Sequence, residues 1–193
     1  MPSPIGHALA GLAVGLLAEP PEEPRARWTG NSVSTLAAIA AVTAALPDID
    51  LLYPPLHRAW THSVGATALL MIIAAAVTGW VTGRVRWRWV LILGAAHASH
   101  ALLDWLGTDR YAPAGIEALW PYSHRFYISD WNVFPPTERR VWIAGALAIN
   151  FRAVMTEIAI TGPIAAIAWI VSTRRRRSRG RTSVRDVLPR PSA

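Results

Sequence analysis

Long apolar runs separated by short polar stretches are the dominant pattern along this chain. One run, residues 64–83, contains 20 consecutive residues without Asp, Glu, Lys or Arg, which is long enough to cross a bilayer as a helix. The five apolar windows are residues 1–18, 28–47, 64–83, 89–107 and 141–173. The pattern therefore predicts an all-α fold, a polytopic membrane helix bundle of about five spans.

Local signals suggest where several of these helices begin and end. Ser3 followed by Pro4 is a typical helix start, and Thr61 is a candidate N-cap for the third helix. The proline-rich segment 19–27 indicates a solvated break between the first two helices. Residues 108–140 are polar, aromatic and long for a plain connection, so we interpret them as a candidate functional loop.

Composition restricts the chemistry that the chain can perform. The 193 residues include no cysteine, which excludes disulfides and thiolate zinc sites, so any metal must be held by His, Asp or Glu. The net charge of +7 comes largely from the C-terminus, since residues 174–190 contain eight of the 19 arginines. We therefore expect a membrane-embedded domain at residues 1–173 and a basic, disordered cytoplasmic tail at 174–193, and we do not expect a nucleic acid partner.

The distribution of arginine predicts an orientation. If the spans alternate and the tail is cytoplasmic, segments 19–27 and 84–88 lie on the same side as the tail, and this side then carries 13 of the 19 arginines. The six histidines all come to the opposite face or near it. We therefore expect an integral protein of the bacterial inner membrane with its site on the outer face. The sequence contains no signal for an oligomeric state.

A polar stripe lies inside the fourth apolar window. His97, His100 and Asp104 are spaced i, i+3 and i+7, so a helix presents them on one face. Imidazole and carboxylate groups together are typical zinc ligands, and ionisable groups at bilayer depth usually have a function. The alternative is that the histidines bond to neighbouring helices and stabilise their packing.

Further candidate ligands occur near the ends of the other predicted helices. Asp48 and Asp50 follow a helix-ending proline, where two carboxylates could bind metal or form an Asx-turn. His57 and His62 are five residues apart, so both can ligate only if the segment before Thr61 is a loop. The complete set of candidate metal ligands is His7, Asp48, Asp50, His57, His62, His97, His100 and Asp104.

Four motifs, in this order, resemble the YdjM-like family of membrane-bound metal-dependent hydrolases. They are Pro2-Ser-Pro-Ile-Gly-His7, Leu46-Pro-Asp-Ile-Asp50, His57-Arg-Ala-Trp-Thr-His62 and His97-x-x-His100-x-x-x-Asp104, and the resemblance covers residues 2–126. Their order is also similar to the zinc sites of bacterial zinc-dependent phospholipase C and the related single-strand nucleases. That likeness implies His7, Asp48, His62, His100 and Asp104 as ligands of one to three divalent ions, most plausibly zinc. The chain lacks the His-x-x-x-Glu pair of those enzymes, so only part of their metal complement is expected.

The resemblance implies cleavage of a phosphoester in a small, lipid-linked or membrane-proximal substrate by metal-activated water. In this hypothesis Asp50 takes the proton, and Arg58 and Arg125 clamp the phosphate. Each arginine could instead be an interfacial residue whose stem lies along apolar surface. Two other functions stay open, namely a non-catalytic metal-binding scaffold or regulator and a His/Asp proton or ion pathway.

Overall fold

The chain forms a bundle of helices in a computed structural model, which describes residues 1–21, 23–25, 33–53 and 57–187, with side chains up to residue 178. The helices are α1 (Pro4–Ala18), α2 (Thr35–Ala45), α3 (Val64–Thr82), α4 (Trp87–Leu106) and α5 (Ala146–Val187). A 3₁₀ segment, Leu46–Leu52, continues α2, and a short 3₁₀ turn, Trp60–His62, precedes α3. The described residues contain no β-strand and only isolated bridges, so the predicted all-α class is confirmed.

Four stretches are long and apolar enough to cross a membrane. They are Thr35–Leu52, Val64–Thr82, Trp87–Leu106 and Ala146–Ser178. Helix α1 is apolar but has only 15 residues. The five predicted helices are therefore present, and the first of them is shorter than an ordinary span.

Helices α1 and α2 pack unusually closely. A Cβ atom at Gly11 would lie 2.4 Å from the Cβ of Ala44 and 2.5 Å from the carbonyl oxygen of Ala40, and one at Gly15 would lie 2.6 Å from the Cα of Ala37. Small residues spaced four apart allow such contact between membrane helices. The close packing brings the first turns of α1 beside the C-terminal end of α2.

Two apolar clusters form the interior. The first is formed by residues of α2, α3 and α4, including Leu36, Ala74 and Val90, and the second by residues of α1, α2 and α5, including Leu16 and Ala168. Both clusters lie between the two polar ends of the bundle. One of these ends, which we call the site end, carries the candidate ligands. The other, which we call the basic end, carries the arginines near the start of α4 and those in the C-terminal part of α5.

The helix starts differ from expectation in their hydrogen bonds. Ser63, rather than Thr61, caps α3, because its Oγ accepts a hydrogen bond of 3.0 Å from the Ala66 N–H. Ser3 is at the N-cap position of α1, but its hydroxyl donates to the buried carboxylate of Glu157 on α5. Glu157 also accepts the Ser3 N–H at 2.9 Å, so α5 satisfies a polar group at the start of α1.

The basic end contains a buried polar network where a solvated break was predicted. Glu19, only 5% exposed, accepts hydrogen bonds from the hydroxyls of Ser34 and Ser172 and, at 2.9 Å, from the Arg176 guanidinium. Glu23 is also buried and accepts a hydrogen bond of 3.3 Å from the indole N–H of Trp89. Of the predicted break, residues 22, 26 and 27 lie outside the described residues.

Helix α5 extends beyond the predicted end of the membrane domain. It continues to Val187, so residues 174–187 are helical where a disordered tail was expected, and residues 188–193 lie outside the described residues. The arginines of the last described turns contact α1, because Arg175 donates to the Leu17 carbonyl at 2.8 Å.

Residues 107–145 connect α4 to α5 across the site end. Their interior is formed by Ile116 and Phe134, which are 0% and 3% exposed. This loop is attached to the start of α3 by the Val64 N–H, which donates to the Ala118 carbonyl at 2.9 Å. The connection is therefore an ordered cover over the candidate ligands.

Candidate metal centre

The candidate ligands converge from four elements at the site end. His7 comes from the first turns of α1, Asp48 from the 3₁₀ segment, His62 from the turn before α3, and His100 and Asp104 from the last turns of α4. We call these five residues the buried cluster. They can meet because the close α1–α2 contact and the loop over the site end bring distant parts of the chain to one place.

Asp104 is at the centre of the buried cluster. One carboxylate oxygen lies 3.2 Å from Nε2 of His100 and 3.3 Å from Nε2 of His62, and the other lies 3.5 Å from Nε2 of His7. All four side chains are at least 98% buried. The rings of His7 and His100 are stacked with centroids 3.7 Å apart.

Asp48 adds a second carboxylate to the buried cluster. Its oxygens lie 3.9 Å from Nε2 of His100 and 4.0 Å from Nε2 of His7, and its side chain is 11% exposed. Two overlapping groups of possible ligands result, one of His7, Asp48 and His100 and the other of His62, His100 and Asp104. Both groups use Nε2 of His100, which can ligate only one ion, so the two groups are alternative or partial descriptions of one five-residue cluster.

The nitrogen and oxygen atoms of the buried cluster are arranged as for a shared metal ion rather than as hydrogen-bond partners of one another. Nε2 of His7, His62 and His100 and Oδ2 of Asp48 are buried and have no hydrogen-bond partner among the described residues. Such orphaned buried groups are costly unless something absent from the protein chain satisfies them. Nitrogen and oxygen ligands about 2.0–2.1 Å from a tetrahedral ion are about 3.3 Å apart, close to the distances around Asp104.

The other ring nitrogens of two histidines have orienting contacts. Nδ1 of His100 lies 2.7 Å from the Ala44 carbonyl, which can only accept a hydrogen, so Nε2 is left with its lone pair. Nδ1 of His62 lies 3.3 Å from Asp50 and 2.9 Å from the Thr61 hydroxyl. Metal-ligating histidines typically show this arrangement. Burial also lowers the pKa of the His62 imidazole, which favours the neutral form that metals require.

Asp50 is surrounded by donors. Its oxygens lie 2.5 Å from Nδ1 of His57, 2.5 Å from the Thr61 hydroxyl and 3.2 Å from the Arg58 N–H. His57 and His62 both face Asp50, because His57 lies in a turn and not on a helix with His62. They form a third group of possible ligands with Asp50, through their Nδ1 atoms.

His97 is not part of these groups. Its Nδ1 lies 2.8 Å from the Thr67 hydroxyl of α3, one helical turn deeper than His100. His97, His100 and Asp104 therefore lie on one helix face, as their spacing predicts, but His97 contacts Thr67 and not the buried cluster. The remaining histidine, His124, has a 75% exposed side chain and faces Glu117.

A cavity of about 290 Å³, lined by both charged and apolar residues, adjoins the buried cluster. We call it the polar cavity because of its charged residues. Asp48 and Asp104 line it on one side. Its basic lining residues are Arg58, Arg110 and Arg139. Arg125, which was expected to clamp phosphate, is exposed and is not among the lining residues, because its segment lies on the outer side of the loop.

Arg58 occupies a buried position beside the cavity. It is 5% exposed, has a positive φ of 68° and pairs with Asp109. Its Nε has no hydrogen-bond partner among the described residues. Asp109, Arg110 and Arg139 were not predicted, since each is an ordinary charged residue in a polar loop and only the fold brings it to the cavity.

Comparison with known proteins gives one match. The model of a family described as YdjM inner membrane protein matches residues 1–178, which include the buried cluster and the described part of the loop above it. No curated protein and no solved structure matches the chain.

Proposed function

The chain belongs to the YdjM inner membrane protein family, and from that premise we propose that it is a membrane-bound, metal-dependent phosphoester hydrolase. The observation that carries the proposal is the set of three buried Nε2 atoms, from His7, His62 and His100, which face Asp104 and have no hydrogen-bond partner in the described part of the chain. Such a set fits a divalent ion of the zinc type.

In this proposal the ligands are the five residues of the buried cluster. When bound, the ion supplies Lewis acidity, which polarises a phosphoryl oxygen and makes water a nucleophile near neutral pH. Asp50 is a positioning residue, because its carboxylate holds the imidazole of His62 through Nδ1. Its existing hydrogen bonds make it less suited to the role of proton acceptor that the sequence suggested.

In this proposal the phosphoryl group of the substrate binds in the polar cavity. Arg58 is buried beside it, and its Nε has no hydrogen-bond partner within the described ranges. Arg139 lines the cavity with its guanidinium 4.1 Å from the centre of the Tyr111 ring. Fixed guanidinium groups bind phosphoryl oxygens in a bidentate manner. The cavity reaches Asp48 and Asp104, so a phosphoester held there would be next to the ligands.

The same cavity favours a hydrolase over the two alternatives. A structural metal site is coordinatively closed, whereas two carboxylates of this cluster line an open space. A proton or ion pathway needs polar groups through the depth of the bundle, but apolar clusters separate the site end from the basic end among the described residues.

We also propose that the site end lies at the outer face of the inner membrane. Arg86, Arg88, Arg175 and Arg176 are at the opposite end, where they contact residues of α1 or of the segment after it. An excess of arginine at short connections is typical of the cytoplasmic side.

The first test is metal content. Purified protein in detergent is loaded with zinc, dialysed and measured by elemental analysis, beside the double variant His100→Ala, Asp104→Ala. The variant His124→Ala serves as a matched control, because it removes an exposed histidine. We expect stoichiometric zinc in the wild type and control and its loss in the double variant. Hydrolysis of bis(p-nitrophenyl) phosphate is then measured on the same samples.

Absence of bound zinc, manganese and iron from the loaded wild type would refute the proposal. Bound metal without hydrolysis of any phosphoester, in detergent or in lipid, would favour the scaffold alternative.

A further inference from the structure

An apolar groove runs between α1 and α2 and ends at the buried cluster. Its volume is about 640 Å³, within the roughly 300–1,000 Å³ of small-molecule sites. Alanines on both helices form much of its wall and leave the space open. The lining residues are Pro4, Ala8, Leu12, Val33, Ala38, Ala41, Val42, Ala45, Leu46, Asp48 and Ile49.

The groove faces the membrane. Val42, Leu46 and Ile49 line it and are 59%, 47% and 59% exposed, and all three belong to the stretch Thr35–Leu52 that is long and apolar enough to span a bilayer. Surface exposed on such a stretch is in contact with lipid, so hydrocarbon chains have direct access to the groove.

The groove adjoins the polar cavity, because two residues line both spaces. Pro4 and Asp48 line both spaces, and among the described residues that line the groove Asp48 alone is charged. On the far side of Asp48 the cavity carries Arg58, Arg110 and Arg139. One molecule with an apolar chain and an anionic head therefore matches both spaces, with its junction at Asp48.

We propose that the α1–α2 groove is the hydrocarbon-chain subsite of the substrate, and that the substrate is an amphiphilic membrane lipid with an anionic phosphoester headgroup. One chain lies in the groove along Ala41 and Val42, and the phosphoryl group lies in the polar cavity. The cleavage of this lipid rests on the hydrolase function proposed above, whereas its binding does not.

Photolabelling tests the binding directly. The zinc-loaded protein is placed in lipid nanodiscs that contain a small fraction of phosphatidic acid with a diazirine in the middle of one acyl chain. After irradiation, labelled peptides are mapped by mass spectrometry. The test variant is Ala41→Phe, which fills the groove, and the matched control is Ala76→Phe on α3, where the replaced residue is exposed to lipid and does not line the groove.

We expect labelling to concentrate on α1 and α2 at the groove, to fall at least five-fold in Ala41→Phe and to stay at the wild-type level in Ala76→Phe. Equal labelling of all lipid-facing helices, or unchanged labelling in Ala41→Phe, would overturn the proposal. The melting temperature reports whether Ala41→Phe is folded, and this control does not depend on metal binding. If the melting temperature has fallen, Val42→Trp replaces Ala41→Phe, because that side chain is exposed and lines the groove.

Hydrolysis separates failure of the subsite from failure of the enzyme. If the subsite exists and the protein is a hydrolase, Ala41→Phe lowers kcat/KM for phosphatidic acid by a larger factor than kcat/KM for bis(p-nitrophenyl) phosphate, whereas Ala76→Phe changes neither. Groove labelling in a wild type that cleaves neither compound supports the subsite and refutes the hydrolase. Cleavage of both compounds at wild-type rates by Ala41→Phe refutes the subsite and leaves the hydrolase intact.

Discussion

Replacement of Asp50 by asparagine should weaken metal binding without abolishing it. Asp50 contacts the buried cluster through His62, whose Nδ1 lies 3.3 Å from the carboxylate while its Nε2 faces Asp104. Asparagine keeps the shape of the side chain but loses the charge, and its amide nitrogen adds a donor among the donors His57, Arg58 and Thr61. The imidazole of His62 would then be held less firmly.

The size of the effect follows from the position of Asp50 behind a ligand. Removal of such an orienting partner typically lowers metal affinity about 10–100-fold, which corresponds to about 1.4–2.7 kcal/mol. Asp104→Asn should exceed this range, because Asp104 itself lies within 3.5 Å of three imidazole nitrogens. The two variants make the same chemical change at two distances from the proposed ion.

Zinc affinity is measured by competition with a chelating dye at fixed pH, in one detergent, for the wild type, Asp50→Asn and Asp104→Asn. Asp130→Asn is the matched control, since Asp130 is exposed and its positive φ of 59° suits asparagine. Equal losses in Asp50→Asn and Asp104→Asn would refute the positioning role and make Asp50 a ligand. Unchanged affinity in Asp50→Asn would refute both roles.

Three further variants test other contacts. His97→Gln should retain stoichiometric zinc, because His97 bonds to the Thr67 hydroxyl of α3 and lies outside the groups of possible ligands. Loss of zinc in this variant would make His97 a ligand. Gly11→Ala should lower both the melting temperature, measured by thermal shift, and the zinc content, measured by elemental analysis, because its Cβ would lie 2.5 Å from a backbone oxygen of α2. Gly79→Ala should leave both unchanged, because the nearest atom to its Cβ would be 3.7 Å away. Arg176→Ala should lower the melting temperature, because it removes charged hydrogen bonds that contribute about 1.5–3 kcal/mol each. Arg177 is exposed, so Arg177→Ala should not lower it. Equal melting temperatures of the two variants would contradict the role of the basic-end network.

The sequence revealed most of the site because its polar residues occur in apolar surroundings. His100 and Asp104 interrupt an apolar window, and Asp48 follows another, so burial could be inferred from position alone. The structure brings these residues together with His7 and His62. The relation of His57 to His62 depended on whether a turn separates them, which residue types alone did not determine.

The features that the sequence analysis missed depend on hydrogen bonds between residues that lie far apart in the chain. Glu19 looked solvated because its neighbours are prolines and acids, but its guanidinium partner is 157 residues away. Glu157 lies in the last apolar window, and its partner Ser3 is 154 residues away. In the same way, Arg139 rather than Arg125 reaches the polar cavity because of the course of residues 107–145, which no local pattern determined.

Hydrogen bonds at both ends of α1 to α5 determine the depth of His7 in the bundle. Helix α1 is about 22 Å long, shorter than the roughly 30 Å of bilayer hydrocarbon, so hydrophobic matching to lipid cannot fix its depth. Ser3 and Glu19 attach its two ends to one long helix through Glu157 and Arg176. Both attachments would have to break for α1 to slide by one turn, so the position of His7 along the bundle axis is fixed relative to α5. The geometry of the buried cluster should therefore be independent of bilayer thickness.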